Sequence, residues 1–306
     1  MLDRVFFEKP RLKELKEAGF LAVDMHFHTE YSDSTTKVVN LIKLAKKRQV
    51  GVSITDHNTV TGSLKAMETS DMFVIPGIEV NCREGRDMQV YFYNKSEMIE
   101  FYEKGIKNFR FENPFGRIKK TVMETLNDLE NYNCIATMSQ PYGIAWKGWI
   151  KFLERNPDGE KIIEMIDAIE VMNGEDTRIR NLKSIYFAME AGKPITAGSD
   201  GHTLGELGRV VSYAKADDVD SFLDAVRKGK NYVAGIEGTR LRGIFNQSRV
   251  FHKRLRYMPS TAKRNYQFSV KNRIDEITPR VKKQIKDEMN RLKEITKNRF
   301  SRWKKK

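Results

Sequence analysis

Cysteine is nearly missing from this chain of 306 residues. Cys82 and Cys134 are the two that occur, and neither belongs to a CxxC pair or a Cys/His ligand cluster. That argues against a disulfide framework and against a thiolate zinc site, and leaves two reduced structural thiols. Long apolar runs are missing too. No stretch reaches the ~18 residues that span a bilayer, and the opening MLDRVFFEKPRLKELKEAGF lacks the apolar core of a signal peptide. The chain is therefore expected to work in the cytoplasm. No internal repeat or low-complexity linker interrupts it. Histidine is scarce, with five in all, so where each one falls is informative.

Hydrophobic residues make up 40% of the chain and charged residues 31%, the balance of a globular protein with room for one large domain and a smaller appendage. The net charge of +14 is unevenly spread. Residues 241–306 carry 21 Lys or Arg against 5 Asp or Glu, while residues 1–240 are close to neutral. This divides the chain into a domain over 1–240 and a basic appendage over 241–306 with a partner of its own.

Within the domain, short apolar runs read as strands at 21–27, 50–54, 73–80, 88–93, 134–138, 168–172 and 195–198. Helical patterns lie between them at 36–48, 118–131, 160–167, 178–191 and 217–228. In the first of these Val38, Val39, Leu41, Ile42, Leu44 and Ala45 face inward, and Lys43, Lys46, Lys47 and Arg48 outward. Strict alternation of strand and helix predicts parallel strands with covering helices, as an open doubly wound sheet or a closed barrel. Both architectures gather chemistry at the C-terminal ends of the strands.

The reactive residues fall there. His26 and His28 end the first strand, Asp56 and His57 follow the second, Glu79 ends the third, Asn173 follows the sixth, and Asp200 and His202 follow the seventh. A single histidine on a strand is usually a hydrogen-bonded core residue; four at strand ends, beside carboxylates, point to a metal site. In His26-x-His28 the two imidazoles project to one face and can share a cation. Imidazole and carboxylate together suit Mn, Fe or Zn, whereas an all-oxygen set would suit Mg or Ca.

The motifs DMHFHTEYSDS, TDHN, PGIEV and GSDGHT occur in that order. Together they resemble the successive motifs of the PHP (polymerase and histidinol phosphatase) family over residues 21–240. The resemblance implies an α/β fold, a distorted (β/α)7 barrel, here followed by a basic, mainly helical C-terminal extension. It implies hydrolysis of a phosphate ester by a hydroxide generated on bound metal. One ion would be held by His26, His28, Glu79 and Asp200, and another by Asp33, His57 and His202. Family members bind a further ion through two more histidines, but this chain has Gln89 and Gln140 at those places. Neutral amide oxygens are poor ligands for these metals, so two divalent ions (Mn, Zn or Fe) are expected rather than three.

Asp200 and His202 are also candidates to move protons to the leaving group, and Arg209 and Arg83 to contact phosphate. Lys147 is a candidate positive charge near Gln140. Asp56 is expected to orient its neighbours as a hydrogen-bond acceptor, and Asn173 to line the pocket. Tyr142, Trp146 and Trp149 read as core or pocket wall, and His252 shows no ligand pattern.

Residues 241–306 interleave basic residues with Phe245, Phe251, Tyr257, Tyr266 and Phe268, the composition of a nucleic-acid-binding surface, although a membrane-surface helix or a helix docked on the domain has similar texture. A helix is predicted from an N-cap at Thr278 and Pro279, with Val281, Ile285, Met289, Leu292 and Ile295 at helical spacing. Three functional classes stay open: a phosphoesterase acting on a phosphorylated small molecule or nucleotide, a nuclease or end-processing phosphatase that holds its polymer with the basic segment, and a catalytically weakened PHP-like binding module.

Overall fold

The computed structural model describes residues 1–69, 71–143 and 148–237. Trp146, Lys147, His252 and the whole basic segment 241–306, with its predicted helix, lie outside the described residues.

Eleven strands form among the described residues: β1 (Val5–Phe6), β2 (Leu21–Phe27), β3 (Gly51–Ile54), β4 (Val74–Ile75), β5 (Gly77–Asn81), β6 (Asp87–Phe92), β7 (Cys134–Met138), β8 (Ala168–Asn173), β9 (Ile195–Gly198), β10 (Val210–Ala214) and β11 (Tyr232–Gly235). The helices are α1 (Leu12–Glu17), α2 (Val38–Arg48), α3 (Thr61–Glu68), α4 (Lys95–Phe101), α5 (Val122–Leu129), α6 (Ile150–Leu153), α7 (Gly159–Met165), α8 (Arg178–Glu190) and α9 (Val219–Arg227). Their faces follow the apolar period. Val38, Leu41, Ile42 and Ala45 of α2 recur at the i, i+3, i+4, i+7 spacing and are buried. Val39, expected inward, lies off that stripe and is 59% exposed. Arg48, expected outward, is half-buried, with its guanidinium on the Leu207 carbonyl.

The strands do not form the expected closed barrel of seven β/α units. They make two sheets, one of six strands in the order β1-β11-β10-β2-β3-β4 and one of five in the order β5-β6-β7-β8-β9. Isolated bridges link Phe27 to Gly201 and His57 to Glu79. These bring the two sheets together at the end of β2 and at the middle of β5, where Glu79 lies rather than at the strand end expected for it, without joining them in one ladder.

The expectation of uniformly parallel strands is corrected as well. β5, β6 and β7 pair antiparallel, and so do β2, β10 and β11. Five residues separate β5 from β6, too few for a crossover helix, so the chain can only turn back on itself. Gly85, at φ +74, supplies the left-handed residue of that turn. The single strand expected over 73–80 is in fact two, split at Pro76 and lying in different sheets. Proline has no N–H to give a ladder; its carbonyl instead accepts from Phe92 N at 2.9 Å. Residues 118–120 precede the helix predicted there, because Thr121 caps α5 by accepting from Glu124 N.

Apolar side chains from both sheets fill the interior in three clusters. The largest contains Ile78, Val90, Phe92, Phe101, Ile169 and Trp149. Trp149 is fully buried, as its reading as core required, and its Nε1 donates to the Asp87 carbonyl at 3.2 Å. Burying a side chain of this kind contributes about 1.5–3 kcal/mol.

Candidate metal centre

Strand alternation sorts β2 into two faces. Met25 and Phe27 point into apolar clusters. Asp24, His26 and, just past the strand, His28 share the other face and are all buried. Asp24 accepts from Ser199 N (2.8 Å), Ser199 Oγ (2.7 Å) and Gly208 N (2.8 Å), and so ties β2 to the end of β9. Gly198 allows that approach, because a Cβ there would stand 2.3 Å from His26 Cβ. Burial pushes the Asp24 carboxyl up to about 6, against the pull of its donors.

The loop after His28 is shaped by Asp56. Its carboxylate accepts from Thr29 N at 2.7 Å and from the hydroxyls of Thr29 and Ser32, the orienting role expected of it. That loop presents Asp33. Ser34 Oγ and Thr36 Oγ1 donate to the His202 carbonyl at 2.7 and 3.0 Å, which fixes His202 against the same loop. Asp200 and Gln140, each just beyond a strand, adopt left-handed backbone at φ +51 and +45. Aspartate tolerates that region and glutamine less so, at a cost of about 1–3 kcal/mol.

All seven residues expected as ligands come together. His26 Nε2 lies 3.1 Å from His28 Nε2, 3.3 Å from Glu79 Oε1 and 3.4 Å from Asp200 Oδ1. His28 Nε2 lies 3.5 Å from Glu79 Oε2 and 3.1 Å from Asp200 Oδ1. Beside this group, His202 Nε2 is 3.1 Å from Asp33 Oδ1, and His57 Nε2 is 3.7 Å from Asp33 Oδ2. His57 Nδ1 stands 3.0 Å from Glu79 Oε2. The His28 ring stacks on that of His202 at 4.5 Å. By closeness of donor atoms, His28 also groups with Asp33 and His202.

This donor set fits divalent metal. Ligand atoms ~2.1 Å from a tetrahedral ion stand ~3.4 Å apart; His26 and His28 stand 3.1 Å from each other and 3.1–3.5 Å from oxygens of Glu79 and Asp200, and His26, His28 and Glu79 form one group of mutually close ligand atoms. His28 Nδ1 is buried with no hydrogen-bond partner among the described residues. Imidazole nitrogens facing one another at this distance inside a ring of carboxylates call for a cation between them.

Without metal, protons supply that charge. Burial disfavours the His26 cation, but Asp200, Glu79 and Glu170 outweigh it and raise the imidazole well above its usual range. His202 is likewise pushed up to about 10, Asp33 overcoming burial. In return, and again against burial, His26 and His57 bring Glu79 down to about 2. Asp33 and Asp200 are held well below the ordinary carboxylate range, against burial, by His202 and His57 and by His26 and His28 respectively.

Both glutamines stand in the cluster. Gln89 Nε2 lies 2.6 Å from His26 Nδ1 and donates to Ser139 Oγ at 2.9 Å. Gln140 Nε2 donates to Asp200 Oδ2 at 2.5 Å, and Asn173 Nδ2 donates to the same oxygen at 3.3 Å. Two expected residues stay apart from this network. Arg209 is half-buried ahead of β10, where its main chain donates to Glu206 and accepts from Ile236, and no hydrogen bond ties its guanidinium to the cluster among the described residues. Arg83 is exposed, its N–H on the Lys120 carbonyl.

Glu170 was missed. It is 2% exposed, on β8, with one oxygen 2.8 Å from His26 Nδ1. The signal was a carboxylate in the otherwise apolar run AIEVM. Asp24, a second buried carboxylate inside an apolar strand, carried the same signal.

Residues 178–231 match the family model described as PHP-associated. Among solved structures, a two-domain protein of Bacteroides vulgatus containing a predicted PHP-like metal-dependent phosphoesterase aligns with a TM-score of 0.51 at 15% identity, over 76% of this chain and 70% of that one. Endonuclease Q, in complex with a 27-mer duplex bearing an abasic lesion, aligns with a TM-score of 0.57 at 16% identity, over 71% of this chain and 60% of that one. The lesion-specific endonuclease of Pyrococcus furiosus aligns with a TM-score of 0.54 at 15% identity, over 70% of this chain and 57% of that one. At such identities the likeness is one of fold. Comparison with the curated proteins finds no match. No helix of the described residues is long and apolar enough to cross a membrane.

Proposed function

We propose, for this chain of the PHP domain family, hydrolysis of a phosphate ester with the help of two divalent metal ions. One ion would be held by His26, His28, Glu79 and Asp200, and the other by Asp33, His57 and His202. Bound there, Mn, Zn or Fe would neutralise phosphoryl oxygens and lower the pKa of water toward ~7, so that a nucleophile exists at neutral pH. The chain's own groups do the rest. Asp200, held ionised by its histidine neighbours, and His202, neutral once it ligates, would serve as ligands, and the carboxylates of Asp33, Glu79 and Asp200 would offset the charge of the ions. The observation that carries this reading is the convergence of four imidazoles on Asp33, Glu79 and Asp200.

The test is His57→Ala, assayed with a chromogenic phosphate ester and added Mn2+. The parent should turn the ester over and the variant at least about 10-fold more slowly, since loss of a ligand should cost no less than loss of a residue supporting one. Equal rates would end the catalytic assignment.

A second reading, an enzyme of nucleic-acid strands or ends, is favoured by the 21 basic against 5 acidic residues of 241–306. Oligonucleotide binding should then fall steeply with salt. Removing 241–306 should abolish it while sparing turnover of the small ester; unchanged oligonucleotide affinity would refute this reading.

A further inference from the structure

We propose that Glu170 is the positioning residue of the metal centre: it fixes the tautomer of His26 so that the Nε2 lone pair, and not an N–H, faces the ions. This rests on the metal-binding reading above and assigns a role to a residue that reading leaves unused.

A carboxylate oxygen can only accept, so the hydrogen on His26 must sit on Nδ1, 2.8 Å from Glu170 Oε1. The opposite nitrogen is then free to ligate, and it is Nε2 that stands 3.1–3.4 Å from His28 Nε2, Glu79 Oε1 and Asp200 Oδ1. Glu170 is itself held. Its second oxygen accepts from Gln140 N (3.1 Å), Asn173 Nδ2 (3.1 Å) and Ser139 Oγ (3.3 Å). The two amide donors, with the Ser139 hydroxyl shared between this oxygen and Glu79 Oε1 at 3.3 Å, hold the carboxylate against turning, and the imidazole inherits that rigidity.

One neighbour pulls the other way. Gln89 Nε2 lies 2.6 Å from the same Nδ1, and an amide N–H directed there would favour hydrogen on Nε2, which abolishes ligation. The carboxylate prevails because hydrogen bonds to a charged acceptor are about twice as strong as those between neutral groups, and because the Gln89 amide already has an acceptor in Ser139 Oγ at 2.9 Å. His202 shows the same arrangement made with main chain: its Nδ1 lies 2.9 Å from the Asp200 carbonyl, leaving Nε2 toward Asp33.

Glu170→Gln keeps the shape and reverses the chemistry. The two amide donors around the second oxygen still require an oxygen there, so the new NH2 is turned onto His26 Nδ1 and drives the hydrogen to Nε2. Zn2+ affinity, measured by competition with a chromophoric chelator, should drop about 10–100-fold. Histidine tautomers are read in the same samples by long-range 1H–15N correlation. The proposal requires zinc-loaded parent protein to show His26 hydrogen on Nδ1, and the variant to show it on Nε2.

It is overturned if His26 of the parent binds zinc through Nδ1, or if the variant binds zinc as tightly as the parent with an unchanged tautomer. Should the variant fail to fold, the parent spectrum alone decides. Neither readout uses turnover, so a lack of hydrolysis would sink the proposed activity and leave this inference standing, whereas a parent that takes up no zinc would sink both.

Discussion

Loading the centre with metal should expel protons, and their number follows from the geometry. In the metal-free cluster His26 is raised well above its usual range and His202 up to about 10, so both carry a proton at pH 7. Glu79, down to about 2, and the similarly lowered Asp33 and Asp200 are already ionised and contribute none. A ligating imidazole must be neutral. Filling both sites at pH 7 should therefore release about two protons, one from each of these histidines. Each displaced proton makes loading about tenfold weaker per unit fall in pH. Combined occupancy of both sites should thus weaken about 100-fold per unit fall in pH wherever both histidines carry their protons in the metal-free cluster. The sign is fixed by the raised values: affinity climbs with pH, and the metal-free fold loses the stability His202 lends it as pH rises through about 10. Calorimetric titration with Mn2+ in two buffers of different ionisation enthalpy counts the protons directly. Release near zero would mean that the histidines are neutral before metal arrives, and that carboxylates alone set the charge of the cluster.

Two further outcomes are expected. Gln89→His with Gln140→His, made together, should raise bound metal from two ions to three per chain by elemental analysis, since both side chains already reach into the cluster; a stoichiometry unchanged from the parent would refute the account of why a third ion is missing. Gly198→Ala should lower the thermal midpoint and metal affinity together, because its Cβ would meet His26 Cβ at 2.3 Å and His26 N at 2.4 Å; overpacking of this kind costs about 1–3 kcal/mol, and a midpoint equal to the parent's would show that β9 can move aside.

Much of the site was legible in the sequence because metal ligands need no register to be recognised. His26, His28, His57, Asp200 and His202 fall at or just past strand ends, and a strand end is the same place whether its sheet is parallel, mixed, open or closed; Glu79 is mid-strand in β5. The direction of the strands was not legible for the same reason. A run such as MQVYFY pairs equally well either way; what turned β6 antiparallel was the shortness of the Cys82–Arg86 turn, a property of the connection. Pro76 did announce its break, but within a continuous apolar run its missing N–H was outweighed by hydrophobicity. VVSYA of β10 and YVAG of β11 passed unread because they bracket a strongly patterned helix, α9, and carry no reactive residue. Glu170 escaped because a buried carboxylate at mid-strand reads, in isolation, as an interruption of the core.

The two sides of the centre hold their charge by different means, and this explains why sequence showed one side better than the other. Around Asp33 the partners are imidazoles, His57 and His202, whose ring nitrogens can take metal as well as a carboxylate. Around the outer oxygen of Asp200 and the inner oxygen of Glu170 the partners are amides, from Gln140, Asn173 and the Gln140 main chain. An amide N–H offers a fixed fraction of positive charge that neither titrates nor dissociates, and it occupies the lone pairs a further ion would need. Gln140 therefore offers Asp200 a permanent partner where a histidine would offer a loadable one. In the proposed centre Asp200 would keep a single oxygen for metal, facing His26 and His28, and its orientation would not depend on the ions being present.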